Sequence, residues 1–337
     1  MGFRVLKAGM LTTVQDLGRY GYQSQGISVS GVMDVRSFKI ANLLLDNPEN
    51  EACLEITLIG PTLQFTSATI IAITGGDFDP TINDEPAPMY TAIYVNKGDV
   101  LRFRSARTGS RCYVAFSSYL DIPVVMGSRC TNLKSQTGGL KGRKLKEDDY
   151  VGFRIKRRYL PFFLSRHLDL NEYADTEAEL RVILGPQTDM FTKQGIETFL
   201  SEEYTVTSDF DRMGCRLDGP FISTKNGSDI ISDGIAFGAV QVPSHGKPII
   251  MLADRQTTGG YAKIATVASV DIPKLVQRKT DHKIRFRVIS VEEAQNLIDA
   301  ELKEFKMMRR KIHEPCKEVL DCRLTGKRVS GLLTRIN

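Results

Sequence analysis

The 337-residue sequence has no run of apolar residues long enough to cross a membrane. Its best apolar runs, residues 68–74 and 248–253, have the length of strands, whereas a spanning helix needs about 20 apolar residues. The first nine residues also lack the apolar core of a signal peptide. We therefore expect a cytoplasmic protein with no membrane partner.

Motifs for metal binding are also missing. No pair of cysteines has Cys-x-x-Cys spacing, and the histidines are scattered at positions 167, 245, 282 and 313. This spacing predicts no zinc site, and we assign no metal ligands. In a cytosolic protein the cysteines should be reduced thiols; they lie at positions 53, 112, 130, 215, 316 and 322.

Several catalytic signatures are absent as well. The sequence contains no Gly-x4-Gly-Lys-Ser/Thr phosphate loop and no Gly-x-Ser-x-Gly nucleophile elbow. It has no Ala-Met-Lys-Met-like segment, so biotin is not expected to be attached to this chain.

The net charge of +5 comes from the C-terminal tail. From Lys303 onward there are ten basic and four acidic residues, and the rest of the chain is nearly neutral. Aromatic residues that could stack on bases are not interleaved with these charges. The pattern favours a solvated segment, and we predict no nucleic-acid partner.

Most of the chain has the pattern of short strands between turns. Residues 100–104 (VLRFR) and 284–288 (IRFRV) alternate apolar and basic side chains, as half-buried strands do. Asp34 is placed to cap one helix, and Ser290 with Glu293 forms a capping box for a second. These features predict a mainly β protein with a few short helices and a C-terminal helix.

An internal echo predicts two related β domains. Arg19-Tyr-Gly-x4-Gly recurs as Arg212-Met-Gly-x4-Gly, and residues 60–77 resemble residues 238–254 in the same order. All-β domains with frequent turns form sandwiches or barrels, and closure removes exposed strand edges. We expect a domain over residues 1–160, a second over 178–290, and a basic helical extension over 291–337.

The densest polar segment follows a buried apolar strand at residues 254–263. Hydroxyls, an amide, a carboxylate, two glycines and two cations lie within ten residues, which is typical of a site for a carboxylate or phosphoryl group. A purely structural polar turn is the alternative. We predict catalytic roles for Asp254, Tyr261 and Lys263, with Lys263 or Arg255 neutralising phosphoryl charge. Substrate-binding roles are predicted for Gln256, Thr257, Thr258, Gly259 and Gly260.

Three further segments are candidates of a weaker kind. Asp16 and Arg19 either orient a substrate carboxylate or bridge a structural loop. Residues 138–143 (GGLKGR) form either an anion-binding nest or a flexible turn. Cys215 lies near Arg212, but without a neighbouring histidine it is better interpreted as a packed free cysteine. Arg212 and Gln241 complete the predicted substrate-binding set.

The motifs, taken in order, resemble the KipA-like family, which includes the C subunit of 5-oxoprolinase, allophanate hydrolase subunit 2 and biotin-dependent carboxyltransferase-like proteins. The matching segments are TVQDLGRYGY, SGVMD, GSR, GGLKGRKL, GPQ, DRMGCRL, VQVP and DRQTTGGYAKIATV, which together span about residues 3–288. The resemblance implies two cyclophilin-like β-barrel domains.

The resemblance also implies a reaction and partners. It implies ATP-dependent opening of 5-oxo-L-proline to L-glutamate, with a KipI-like B subunit and a LamB/YcsF-like A subunit. ATP, with Mg²⁺, would be a co-substrate in an unconventional or shared site. Two alternatives remain open: a carboxyltransferase half of a biotin-dependent urea carboxylase or allophanate-type system, and a regulatory protein that binds a KipI-like inhibitor.

Overall fold

The computed structural model describes residues 1–170 and 172–315. The chain is mainly β with a few helices, as the sequence predicted. Predictions for the end of the chain, including Cys316, Cys322 and most of the basic tail, lie outside the described residues. Within the described ranges, no helix combines the length and apolar character needed to cross a membrane.

The N-terminal part, residues 1–170, forms two antiparallel sheets around a shared apolar core. One sheet has the order β11-β1-β4-β9-β6-β7, and the other has the order β2-β3-β10-β5-β8. The strands are β1 (Gly2–Lys7), β2 (Leu11–Gln15), β3 (Cys53–Thr57), β4 (Thr62–Phe65), β5 (Thr69–Gly75), β6 (Thr81–Ile82), β7 (Glu85–Pro86), β8 (Ala92–Val95), β9 (Val100–Arg102), β10 (Arg111–Phe116) and β11 (Tyr150–Gly152).

The C-terminal part, from residue 172, contains a closed seven-stranded barrel of order β12-β19-β16-β17-β14-β13-β20. Closure pairs the first strand with the last, which are parallel from Glu177↔Lys283 to Val182↔Val288. Two further strands, β15 and β18, form a separate two-stranded sheet. The strands are β12 (Glu177–Leu184), β13 (Tyr204–Phe210), β14 (Gly214–Asp218), β15 (Asp229–Gly234), β16 (Ala239–Gln241), β17 (Ile249–Met251), β18 (Thr258–Tyr261), β19 (Lys263–Val267) and β20 (Lys283–Val288).

Both predicted helices are confirmed. Asp34 caps α1 by accepting from the Ser37 N–H at 2.9 Å. The capping box of Ser290 and Glu293 starts α4. The helices are α1 (Val35–Leu44), α2 (Lys193–Ser201), α3 (Ile272–Val276) and α4 (Val291–Ile312), with 3₁₀ turns at Gln23–Gln25, Phe163–Ser165, Thr188–Met190 and Ser269–Asp271.

The two parts of the chain are joined by buried polar contacts. The Gln277 amide accepts from the backbone N–H groups of Ser110 and Arg111 at 2.9 Å and donates to Asp34 at 2.7 Å and to the Arg111 carbonyl oxygen at 2.9 Å. A Cβ added at Gly109 would lie 2.6 Å from the Gln277 Oε1, so this contact needs a glycine. Because the amide is fully hydrogen-bonded, Gln277 fixes the parts against each other.

The similar segments 60–77 and 238–254 do not have the same strand pairing in the two parts. β4 and β5 belong to different sheets, whereas β16 and β17 pair directly within the barrel. Short motifs report local turns and apolar runs, but pairing depends on contacts far apart in the chain. The division at residues 1–160, 178–290 and 291–337 stays a prediction.

Candidate functional site

A small cleft lined by polar and apolar side chains lies at the edge of the barrel, and we call it the glutamine cleft. It encloses about 110 Å³. Strands β14, β16, β17 and β18 supply most of its wall. The lining residues are Asp211, Met213, Gly214, Arg216, Gln241, Ile249, Met251, Gln256 and Tyr261.

The amide of Gln241 is the most informative group in this cleft. Its Nε2 is buried and makes no hydrogen bond within the described part of the chain. A buried amide donor without a partner costs about 1–3 kcal/mol. The Cβ of a residue at position 259 would lie 3.0 Å from Nε2, so Gly259 allows the β18 backbone to pack closely against the amide. The arrangement fits a ligand oxygen that accepts from Gln241.

Lys263 lies on β19, directly opposite Gln241 on the adjacent strand β16. Its side chain is buried, and its ammonium bonds Asp233 at 2.7 Å. The Lys263 N–H donates to the Gln187 side chain at 3.2 Å, which ties the Gly185-Pro-Gln187 motif to this strand. The bond from Lys263 lowers the pKa of Asp233. Lys263 is thus charge-compensated by a neighbour.

A second cluster, the charge network, consists of Glu55, Tyr113, Arg212 and Asp254. Arg212 donates to Asp254 at 3.0 and 3.2 Å and forms an ion pair with Glu55 on β3. Glu55 also accepts from the Tyr113 hydroxyl at 2.7 Å. The bonded side chains lie 42 to 157 positions apart along the chain. They form one largely buried network that joins the two parts.

Burial disfavours the positive charge of Arg212, and the carboxylates of the network compensate for it. Desolvation lowers the pKa of Arg212, and the carboxylates of Asp254 and Glu55 outweigh it and raise that pKa above its ordinary value. Burial and the Glu55 charge raise the pKa of Tyr113, so its hydroxyl stays a donor. The network is therefore a fixed assembly of charged and neutral partners.

The predicted catalytic residues do not form one cluster. Asp254 bonds Arg212, Lys263 bonds Asp233, and Tyr261 lines the glutamine cleft. No hydrogen bond or ion pair among the described residues joins any two of the three. Asp254 follows β17, Tyr261 ends β18 and Lys263 begins β19, so closeness in the sequence does not bring their side chains together. Their catalytic roles stay predictions.

The predicted substrate-binding residues divide between several places. Gln241 and Gln256 line the glutamine cleft, and Gln256 with Thr257 also lines a neighbouring cleft. Thr258, Gly259 and Gly260 form β18 opposite β15. Arg212 belongs to the charge network.

Asp16 and Arg19 serve the N-terminal loops and do not bond each other. Asp16 accepts from the Ser128 hydroxyl and the Arg129 N–H, both at 2.6 Å. Arg19 donates to the carbonyl oxygens of Val125 and Cys130. Both side chains are buried, and these bonds match the structural alternative of a loop bridge.

The glycine-rich segment 138–143 is a packed turn. A Cβ at Gly138 would lie 2.1 Å from the Cys130 carbonyl oxygen, and one at Gly139 would lie 1.8 Å from the Thr131 hydroxyl. Arg143 forms a two-point ion pair with Asp149. The glycines therefore permit close backbone packing, and the Arg143 charge already has a partner.

Cys215 is a packed thiol in the barrel core, as predicted. Burial raises its pKa to about 12 despite the opposing effect of Arg111. Glu55 and Asp233 are the partners that sequence reasoning missed. Glu55 had one available signal, a lone carboxylate inside the apolar strand Cys53–Thr57, and such a group needs a buried partner.

The barrel with polar clefts at its edge has the mainly β fold of the carboxyltransferase domains in urea carboxylases. The family model described as "Carboxyltransferase domain, subdomain A and B" matches residues 25–288. The chain therefore belongs to this carboxyltransferase-domain family. No group of three or more His, Cys, Asp or Glu side chains in residues 1–170 and 172–315 is arranged to hold a metal ion.

Relatives of this chain carry two kinds of name. The C subunit of 5-oxoprolinase from Escherichia coli is 32% identical over 314 residues, which are 92% of this chain and 98% of that protein. The corresponding 5-oxoprolinase protein of Haemophilus influenzae is 33% identical over 87% of this chain and 93% of its own length. The crystal structure of Kluyveromyces lactis urea amidolyase matches with a TM-score of 0.84 and 30% identity. That match covers 91% of this chain but only 20% of the amidolyase.

Proposed function

We propose that this chain is a subunit of an ATP-dependent 5-oxoprolinase, which hydrolyses 5-oxo-L-proline to L-glutamate with KipI-like B and LamB/YcsF-like A subunits. The length match supports this assignment, since the chain corresponds to nearly all of the Escherichia coli 5-oxoprolinase protein but to a fifth of the amidolyase. ATP with Mg²⁺ acts as co-substrate, and biotin is not attached to this chain.

The observation that carries the proposal is the unpartnered Gln241 amide in a cleft of about 110 Å³. Pockets for drug-sized ligands enclose about 300–1,000 Å³, so this cleft suits a small ligand. 5-Oxo-L-proline carries a lactam carbonyl oxygen and carboxylate oxygens that can accept from Gln241. Gln256 and the Tyr261 hydroxyl offer further hydrogen bonds from the same wall.

The need for ATP follows from the chemistry of the substrate. A lactam amide is a poor electrophile, and phosphorylation of its oxygen supplies a leaving group before water attacks. Binding of the amide next to the phosphoryl donor provides the proximity that such a transfer requires. The charge network positions the binding residues. Arg212 bonds Asp254, which lies at the start of the segment that carries Gln256 and Tyr261.

The test is ATP-dependent glutamate formation by the purified chain mixed with its A and B partners. We expect turnover only with the complete set, and a strong loss with Gln241→Ala. A complete complex that folds, binds and yet forms no glutamate would contradict the proposal.

A carboxyltransferase role is the second candidate, and the similarity to urea amidolyase favours it. The same preparation tests it with a biotin carboxylase and a biotinylated carrier. Transfer of a carboxyl group from the carrier, without glutamate formation from 5-oxoproline, would replace the first proposal by this one.

A further inference from the structure

A larger cleft, which we call the arginine cleft, lies beside the glutamine cleft and encloses about 390 Å³. Gln256 lines both, so the two spaces are neighbours. The walls come from both parts of the chain: Gln23 and Ser28 from the N-terminal part, and Arg255 and Thr257 from the C-terminal part. A ligand here would contact both parts at once.

Arg255 is a partly buried cation with no ion pair in the described part of the chain. Its guanidinium donates to the carbonyl oxygens of Ile235 at 2.9 Å and Leu252 at 3.2 Å and lies over the Phe237 ring. Burial lowers the pKa of Arg255, and no carboxylate reverses the effect. The buried Arg212 and Lys263 differ, because each has a carboxylate partner.

The positions around Arg255 are held by hydrogen bonds from the N-terminal part. The Ser28 hydroxyl donates to the Arg255 carbonyl oxygen at 2.8 Å, and the Ser30 N–H donates to that of Ala253 at 3.1 Å. These bonds fix the backbone that carries Arg255. None of the residues lining the cleft is acidic.

We propose that the arginine cleft is a phosphoryl-binding subsite, in which Arg255 binds the terminal phosphate of the co-substrate beside the small substrate in the glutamine cleft. A planar guanidinium matches the geometry of phosphate oxygens and binds them at two points. A cation that is partly desolvated and unpaired gains most from an anionic ligand. The assignment to ATP rests on the proposed function, whereas the anion site itself rests on Arg255.

The experiment measures binding of inorganic tripolyphosphate to the full chain by calorimetry at fixed ionic strength. We expect Arg255→Gln to weaken binding at least about tenfold, since a hydrogen bond to a charged group contributes about 1.5–3 kcal/mol. Arg255→Lys should retain part of the affinity. The control is Arg285→Gln, which removes an exposed arginine paired with Glu203 and should bind as the wild type does.

A second variant protects the test against misfolding of the first. Gln23→Glu adds a carboxylate to the cleft and keeps the oxygen that accepts from the Gly21 N–H. It should weaken tripolyphosphate binding by repulsion with an unchanged melting temperature. No binding by the wild type, or binding as tight as the wild type's by both the Arg255→Gln and the Gln23→Glu variants, would overturn the proposal.

Kinetics of the assembled complex separate this proposal from the proposed function. Arg255→Gln should raise the KM for ATP and leave the KM for 5-oxoproline nearly unchanged. A rise confined to the KM for 5-oxoproline would assign the cleft to the substrate carboxylate and overturn the phosphoryl assignment. If tripolyphosphate binds through Arg255 but the complex forms no glutamate, the anion site is supported and the 5-oxoprolinase assignment is contradicted.

Discussion

The charge network and the glutamine cleft share neighbouring positions, since Arg212 follows the cleft residue Asp211, but they differ in how well their polar atoms are satisfied. In the network, Arg212 has two carboxylate partners. In the cleft, the Gln241 Nε2 has no partner within the described residues. Removing one partner of a satisfied buried charge pair is costly, whereas a buried donor without a partner has hydrogen-bonding capacity left for a ligand. We therefore assign support to the network and binding to the cleft.

The largest expected effect is on stability, from a change in the network. Glu55→Ala leaves part of the Arg212 charge unpaired and removes the acceptor of both the Tyr113 hydroxyl and the Met33 N–H. Breaking such a buried pair costs about 3–5 kcal/mol. Urea unfolding measures this loss in the free energy of unfolding. The matched control is Asp84→Ala, which removes an exposed partner of Arg102 and should cost at most about 1 kcal/mol. Equal losses in the two variants would contradict the role given to Glu55.

The next effect should be on activity alone. Gln241→Ala removes a donor that bonds no protein group among the described residues, so the free energy of unfolding should fall by less than about 1 kcal/mol, if it falls at all. The kcat/KM for 5-oxoproline should fall about 10- to 100-fold. Gln64→Ala in the N-terminal sheet is the control and should leave the rate unchanged. A Gln241→Ala variant that loses stability and keeps its rate would show that Gln241 supports the fold and does not bind the substrate.

Gly259 and Gly260 allow a test of the amide position by the addition of a single methyl group. A Cβ at position 259 would lie 2.7 Å from Ile235 and 3.0 Å from the Gln241 amide, whereas one at 260 would have its nearest contact at 3.4 Å. We expect Gly259→Ala to lower kcat/KM about tenfold by displacing the amide, which is a loss of about 1.4 kcal/mol in transition-state binding, and Gly260→Ala to have little effect. Steady-state rates on both variants check this, and equal rates would show that the amide position is unimportant.

The smallest effect is expected at Cys215. With a pKa of about 12 the thiol stays protonated at pH ~8, where an unfolded cysteine with a pKa near ~8.5 is partly ionised. Iodoacetamide at this pH should modify Cys215 only after unfolding, as followed by mass spectrometry. Rapid modification of the folded protein would mean that the neighbouring arginines activate this thiol.

The sequence predicted the local features of the fold well. Asp34 and Ser290 marked helix starts because capping depends on residues three positions away. Alternation at 284–288 marked β20. The two open sheets of the N-terminal part were not predictable in the same way, since sheet order depends on pairing between distant strands such as β1 and β11.

The candidate site was located by its sequence but not resolved into roles. The polar segment after a buried strand supplies Arg255, Gln256, Thr257 and Tyr261 to the two clefts, whereas Asp254 and Lys263 line neither. The role of Asp254 depends on Arg212, 42 residues earlier, and on Glu55, 157 residues before Arg212. Lys263 likewise meets Asp233 only because β15 pairs with β18. Residue type alone could not distinguish a paired charge from a reacting one.

The most direct test is a crystal structure of the chain with 5-oxo-L-proline. We predict that the ligand lies in the glutamine cleft, with one of its oxygens within hydrogen-bonding distance of the Gln241 Nε2 and with Arg212 still bonded to Asp254. Ligand bound elsewhere, with the Gln241 amide still unpartnered, would contradict this prediction.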